Sequence, residues 1–292
     1  MTVEVWSDVV CPWCYIGKRR LEAAVERTGL DVRVVWRSFQ LDPSAPRKGE
    51  PGHGGDVASY LGRKYGGGRE AGLAMSARVS EVAAGDGLDF HLDRAVRGST
   101  ADAHRLIHLA GTLDEGPSHA GTLGAGTLGA GTLGAGSGAD SGAGSGAGSG
   151  AGLQDRVKER FLLAYFTEGL DVSDPDVLRP LAVEAGLPAQ QVDDVLSSSA
   201  FARDVSADET QARAYGATGV PFTVVDGRYG VSGAQPVEAF EEALRRAAAD
   251  RVPTLVTVGA GGTGSSGTGT DTGTTADSTG EACGPDGCAV QQ

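Results

Sequence analysis

Two close pairs of cysteines carry the chemical promise of this chain: Cys11 with Cys14, and Cys283 with Cys288. Close pairs in a long chain suit redox exchange or metal binding better than structural stapling. The first pair reads Cys11-Pro12-Trp13-Cys14, and its surroundings favour redox chemistry. A thiolate, not a thiol, attacks a disulfide. Unpaired N–H groups and a partial positive charge at a helix start stabilise that anion. Cys11 stands just ahead of a helical pattern and is the expected nucleophile, forming a mixed disulfide with substrate. Cys14 lies about one turn further on and is expected to resolve it, from a more buried position. Trp13 is expected to be an exposed aromatic beside the reactive sulfur, with Pro12 a further substrate contact.

The elements that would hold these residues are legible. Residues 3–6 alternate as a short strand. Pro12 suits the first turn of a helix, residues 15–27 are amphipathic, and Gly29 ends them. Residues 32–36 form a second strand. Helices are predicted over 56–65 and 70–84. Another begins at Ser99-Thr100-Ala101-Asp102, with Ser99 as cap and Asp102 three positions on. From 116 to 152 the chain is almost entirely Gly, Ala, Ser, Thr and Leu with periods of five and then four, a flexible loop by composition. A helix resumes over 153–168, Asp174-Pro175 opens another, and 192–196 and 201–215 supply two more. Strand character returns at 219–225, Asp226-Gly227 makes a hairpin turn, 229–231 runs back, and 237–249 closes with a helix. The frame is strand, CxxC, helix, strand, a helical insertion, then Val-Pro, a hairpin and a helix.

That order is the α/β thioredoxin fold with a large inserted all-helical domain. The expected division is 1–44 for the first part, 45–216 for the helical insertion, 217–258 for the second part, and 259–292 for a disordered tail. The chain resembles the DsbA-like oxidoreductases, and within them the FrnE-type branch. The likeness is carried by Ser7-Asp8-Val9-Val10-Cys11-Pro12-Trp13-Cys14-Tyr15-Ile16-Gly17, Asp102-Ala103-His104-Arg105-Leu106, Ala164-Tyr165-Phe166-Thr167-Glu168-Gly169 and Gly219-Val220-Pro221-Phe222. The resemblance implies a thiol–disulfide oxidoreductase or protein disulfide isomerase. It also implies a cis proline at Pro221 facing the cysteines, with Val220 pairing with substrate backbone. Protein or small thiol substrates are expected, with glutathione or thioredoxin as electron partner and no cofactor.

Composition narrows the classes. The chain has 292 residues, 40% of them hydrophobic, with 47 glycines and a formal net charge of −13. Such acidity repels phosphate backbones, so nucleic acid is not an expected partner. No apolar run approaches the ~20 residues of a membrane helix. The first residues lack a secretory pattern, which points to the cytoplasm.

Competing readings remain. A lone CxxC can be half a zinc site, but Cys283 and Cys288 are separated by four residues and sit in the tail, so no metal is expected. His104 and His108 share a helical face and read as ordinary helix-face histidines. Asp8, close to Cys11 in sequence, reads first as a capping residue near the first helix and otherwise as a group that raises the Cys11 pKa or relays a proton, and the charged residues of the insertion helices read as solvated faces. A glutathione-dependent isomerase resembling 2-hydroxychromene-2-carboxylate isomerase is a second function, though those carry Ser in place of Cys11. A non-catalytic client-holding chaperone is a third. The tail pair is either an auxiliary redox couple or an inert or adventitiously metal-binding tail; a linker of roughly 24 residues spans about 25–30 Å, enough to reach the first pair.

Overall fold

The computed structural model describes residues 1–116 and 152–251. Residues 117–151 of the expected flexible loop, and the tail with Cys283 and Cys288, lie outside the described residues.

Strand β1 (Thr2–Ser7) leads through Asp8–Cys11 into helix α1 (Pro12–Thr28) and strand β2 (Arg33–Ser38). Gly29, at φ 62°, ends α1 in the left-handed conformation that glycine adopts without strain. β1 and β2 pair in parallel, as a helical crossover requires. Strands β3 (Phe222–Val225) and β4 (Tyr229–Ser232) form an antiparallel hairpin added to the other edge of β1, giving the order β2-β1-β3-β4. Asp226 and Gly227 both take positive φ in its turn.

Between β2 and β3 run α2 (Val57–Tyr65), α3 (Gly68–Gly85), a 3₁₀ turn (Leu92–Arg94), α4 (Ala101–Glu115), α5 (Leu153–Leu163), α6 (Pro175–Glu184), α7 (Ala189–Leu196) and α8 (Ala202–Ala214). Helix α9 (Val237–Ala249) follows β4 and packs on α1. The alternation of β1 sends Val3 and Val5 to one face, where they join Ile16, Leu21, Ala24, Phe240 and Leu244. Trp6 points to the other face, packs with Ala212, Ala217 and Val224, and donates its indole N–H to Asp208 O at 2.9 Å. The first of these clusters runs without a break into the helices between β2 and β3. Tyr15, Phe90 and Phe166 make the join, with ring centroids 4.5–6.0 Å apart.

Three local expectations need correction. The helix expected over 153–168 is α only to Leu163; Ala164–Glu168 is a π turn, closed by Leu170 N–H on Ala164 O and by Gly169 at φ 69°. The cap of α4 is Thr100, not Ser99, and Asp102 does not reach back to it. Asp102 instead binds Arg105 at 2.7 Å and Arg47 at 3.2 Å, because a buried guanidinium outcompetes a neighbouring N–H for a carboxylate. The charged residues of this helical region are not all solvated either. Asp102, Arg105, Lys158, Asp208 and Glu209 are buried. Arg105 spends its charge on the Val195, Ser198 and Ala200 carbonyls at the end of α7.

Candidate active site

Cys11 is the residue before the first turn of α1. Its backbone is extended (φ −92°, ψ 113°), Pro12 takes the first helical position, and no acidic residue occupies the first turn. Its amide donates to Asp8 O at 3.3 Å, and its carbonyl accepts Cys14 N–H at 3.0 Å. The Cys11 thiol donates to Val220 O at 3.6 Å, and the Val220–Pro221 bond is cis. Pro221 packs on α1 at Gly17, where a Cβ would lie 3.1 Å from Pro221 Cγ. The segment before β3 thus lies across the start of α1 and brings Cys11, Val220 and Pro221 together. Both cysteines are free and buried, at 3% and 1% exposure. The contrast in burial expected between them is therefore slight, and the solvent-facing group here is Trp13 at 43%.

Behind the sulfurs lies a polar cluster that the CxxC spacing does not announce. Asp8 is 1% exposed; its carboxylate accepts Leu41 N–H at 2.8 Å and His104 Nε2–H at 3.2 Å. It therefore ties β1 to the chain after β2 and does not cap α1, whose cap makes no side-chain hydrogen bond. Burial pushes the Asp8 carboxyl up, but the His104 and Leu41 bonds and the Lys158 charge outweigh it and hold it below the usual range. Burial also lowers His104, against the pull of Asp8, so a neutral imidazole donates to an ionised carboxylate. Lys158, on α5, is buried with its ammonium 5.7 Å from the centre of the Trp36 ring. Burial draws its pKa down to about 8, opposed by Cys14, Asp8 and Cys11. The Cys14 thiol is driven well above its ordinary range, by burial first and then by the hydrogen bond and charge of Cys11.

The profile of the DSBA-like thioredoxin domain matches residues 2–121 and 144–245, most of the chain. The chain belongs to that family. This DSBA-like chain is similar over its whole length, at 35% identity and a TM-score of 0.67, to the crystal structure of a probable DsbA oxidoreductase from Streptomyces coelicolor, itself covered in full. Two more distant structures share the fold. They are the cytosolic disulfide reductase DsbM from Pseudomonas aeruginosa, solved with GSH (18% identity, 84% of this chain and 98% of that one, TM-score 0.50), and a 2-hydroxychromene-2-carboxylate isomerase (14%, 86% and 97%, 0.52). The uncharacterized protein YwbO of Bacillus subtilis is 43% identical over 49 residues, a match spanning 17% of this chain and about a quarter (24%) of that protein.

Within the DSBA-like chain, His104 and His108 do not converge on a common ligand. His104 meets Asp8, and His108 Nε2 lies 3.0 Å from Asp208 on α8. Among the described residues no cluster of three or more His, Cys, Asp or Glu side chains is placed to hold a metal, and no helix is long and apolar enough to cross a membrane. Lys158 is the residue that sequence reading missed. The signal was there: it falls on the buried face of α5 with Gln154, Val157, Phe161 and Leu162, a cation within an apolar stripe.

Proposed function

We propose that the chain is a thiol–disulfide oxidoreductase in which Cys11 is the nucleophile and Cys14 resolves the mixed disulfide. The observation that carries this is the seat of Cys11: the N-cap of a seventeen-residue helix, its sulfur against the Val220 carbonyl beside cis Pro221, and Cys14 within hydrogen-bonding reach. The Cys11 thiolate, favoured by the helix terminus, attacks one sulfur of a substrate disulfide and expels the other as a thiolate. Cys14 then attacks the Cys11 sulfur, releasing the second substrate thiol and leaving Cys11–Cys14 oxidised. The same steps in reverse oxidise a dithiol. Trp13 and Pro12 offer an apolar contact at the site, and the Val220 main chain an edge for an extended substrate.

DsbM was solved with GSH, which makes glutathione disulfide the first small substrate to try. Reduced protein mixed with it should lose two thiols and release two glutathione molecules. Cys14→Ser should stop at one glutathione bound to Cys11, seen as a mass increment, and Cys11→Ala should form no adduct. An isomerase or a client-holding protein would instead keep its activity in the Cys14→Ser variant. The tail pair Cys283 and Cys288 is proposed to exchange electrons with Cys11 and Cys14. In a Cys283→Ser/Cys288→Ser protein the first half-reaction should be unchanged while recycling slows; unchanged recycling removes the tail from the mechanism.

A further inference from the structure

We propose that Arg20 is a positioning residue for substrate: it clamps the turn after β4 onto the cis-proline segment and so fixes the Val220 main chain beside Cys11. This deepens the oxidoreductase reading and rests on it. A substrate strand that pairs with the Val220 main chain needs that backbone at one place and angle, because hydrogen bonds weaken steeply out of alignment. Val220 and Pro221 precede β3 and stand outside its ladder. Pro221 has no N–H with which to tether itself. Its carbonyl accepts Gly233 N–H at 2.8 Å, and Val220 O meets the Cys11 thiol at 3.6 Å. The place of Val220 therefore depends on what holds Gly233 and Ala234.

Arg20 holds them. Its Nη1–H donates to Ala234 O at 2.7 Å. Its Nε–H and Nη2–H donate to the Asp86 carboxylate, at the end of α3, at 3.0 and 2.9 Å. The two side chains are 20% and 18% exposed, so solvent screens this pair less than it does an open surface pair. A guanidinium carries its donors in a rigid planar fork, so the bond to Asp86 aims Nη1 at Ala234. Gly17 lies three residues before Arg20, on the same side of α1. A Cβ there would come within 3.1 Å of Pro221 Cγ and 3.6 Å of Ala234 Cβ.

Gly17 thus lets Pro221 and Ala234 settle against α1, and Arg20 pins them there. The line of contacts runs from Asp86 through Arg20, Ala234, Gly233 and Pro221 to Val220 and Cys11. It ties the last residue of α3 to the edge on which a substrate backbone would lie, and it leaves the sulfur exchange itself to Cys11 and Cys14. Loss of the clamp should therefore weaken the hold on a peptide and spare the reaction of a disulfide that has no peptide backbone.

The test uses the reduced full chain carrying Cys283→Ser and Cys288→Ser, so that only the first pair reacts. Two substrates are compared in single turnover: a disulfide-linked dimer of an unstructured decapeptide, and 2-hydroxyethyl disulfide. Arg20→Met should raise the half-saturating peptide concentration about tenfold, the worth of a hydrogen bond or two. The limiting rate with peptide, and the rate with hydroxyethyl disulfide, should stay within about twofold of the parent. Arg20→Lys keeps the charge but not the fork that spans Asp86 and Ala234, and should bind the peptide as weakly as the Met variant. Peptide binding restored by Lys, peptide binding at the parent's level in the Met variant, or an equal loss on both disulfides overturns the proposal. Should the Arg20 variants not fold, Gly17→Ala decides. It keeps Arg20 but displaces Pro221, and should give the same split between the two substrates; an equal loss on both, or no loss on either, overturns the proposal. Failure of the parent to reduce either disulfide would sink the oxidoreductase reading itself, a result distinct from all of these.

Discussion

A lysine inside an apolar stripe must find partners or give up its proton, and Lys158 is drawn toward the second course. The consequence for stability has a definite sign. In the unfolded chain this ammonium persists to about pH 10, whereas in the folded protein it loses its proton near 8, chiefly through burial. Between those values the unfolded chain holds more protons, so the lysine's contribution to stability rises with pH. Cys14 works the other way. Its buried thiol keeps a proton that the unfolded thiol releases near pH 8.5, so its contribution falls as pH rises. Comparing Lys158→Met with the parent at each pH isolates the lysine. In denaturant unfolding of the reduced proteins, the variant's relative stability should be greatest near pH 7. It should then decline by roughly 3 kcal/mol toward pH 10.5. A pH-independent difference would show that Lys158 titrates like an exposed lysine. The two cysteines were readable from spacing and from the strand and helix around them. The buried roles of Lys158 and Asp8 were not, because Lys158 is buried only by the packing of α5, and the Asp8 carboxylate finds His104 of α4 and the Leu41 amide only in the folded chain.

At the scale of elements, α2 and α3 show how closely two helices approach when glycine removes the side chain. A Cβ on Gly72 would lie 1.9 Å from Ala58 O, and one on Gly62 1.8 Å from Gly68 O. Glycine inside a helix is normally a loss of up to about 1 kcal/mol against alanine; here backbone contact reverses the balance. Gly72→Ala should destabilise the protein by about 1–3 kcal/mol in urea unfolding, while the more open Gly85→Ala should not. Helix and strand periods located nearly every element, and α9 to the residue. They missed the π turn at Ala164–Glu168, because Tyr165 and Phe166 continue an apolar pattern whose ladder changes only when Gly169 turns the chain. The Ser99 cap failed because it was weighed locally, whereas Asp102 is claimed by Arg47 and Arg105.

For the whole molecule, the order of strands and helices was enough to give the fold, and the family match agrees with it. What the order could not convey is that the sheet and the helices between β2 and β3 share one hydrophobic cluster, so that α4 and α5 reach the cysteines from behind. The junction of those two helices has a design of its own. Asp114, near the end of α4, accepts Leu153 N–H at 2.7 Å and Gln154 N–H at 2.8 Å, capping α5 from across the intervening chain. Replacing residues 117–151 by a glycine–serine linker about a quarter as long should preserve the fold and raise stability by about 1 kcal/mol through reduced loop-closure entropy. Loss of folding in that variant would show that the segment is needed. Short tandem repeats gain and lose units readily when DNA is copied. With Asp114 fastening both margins, a lineage can lengthen or trim this stretch while the helix pair behind Cys14 stays in register.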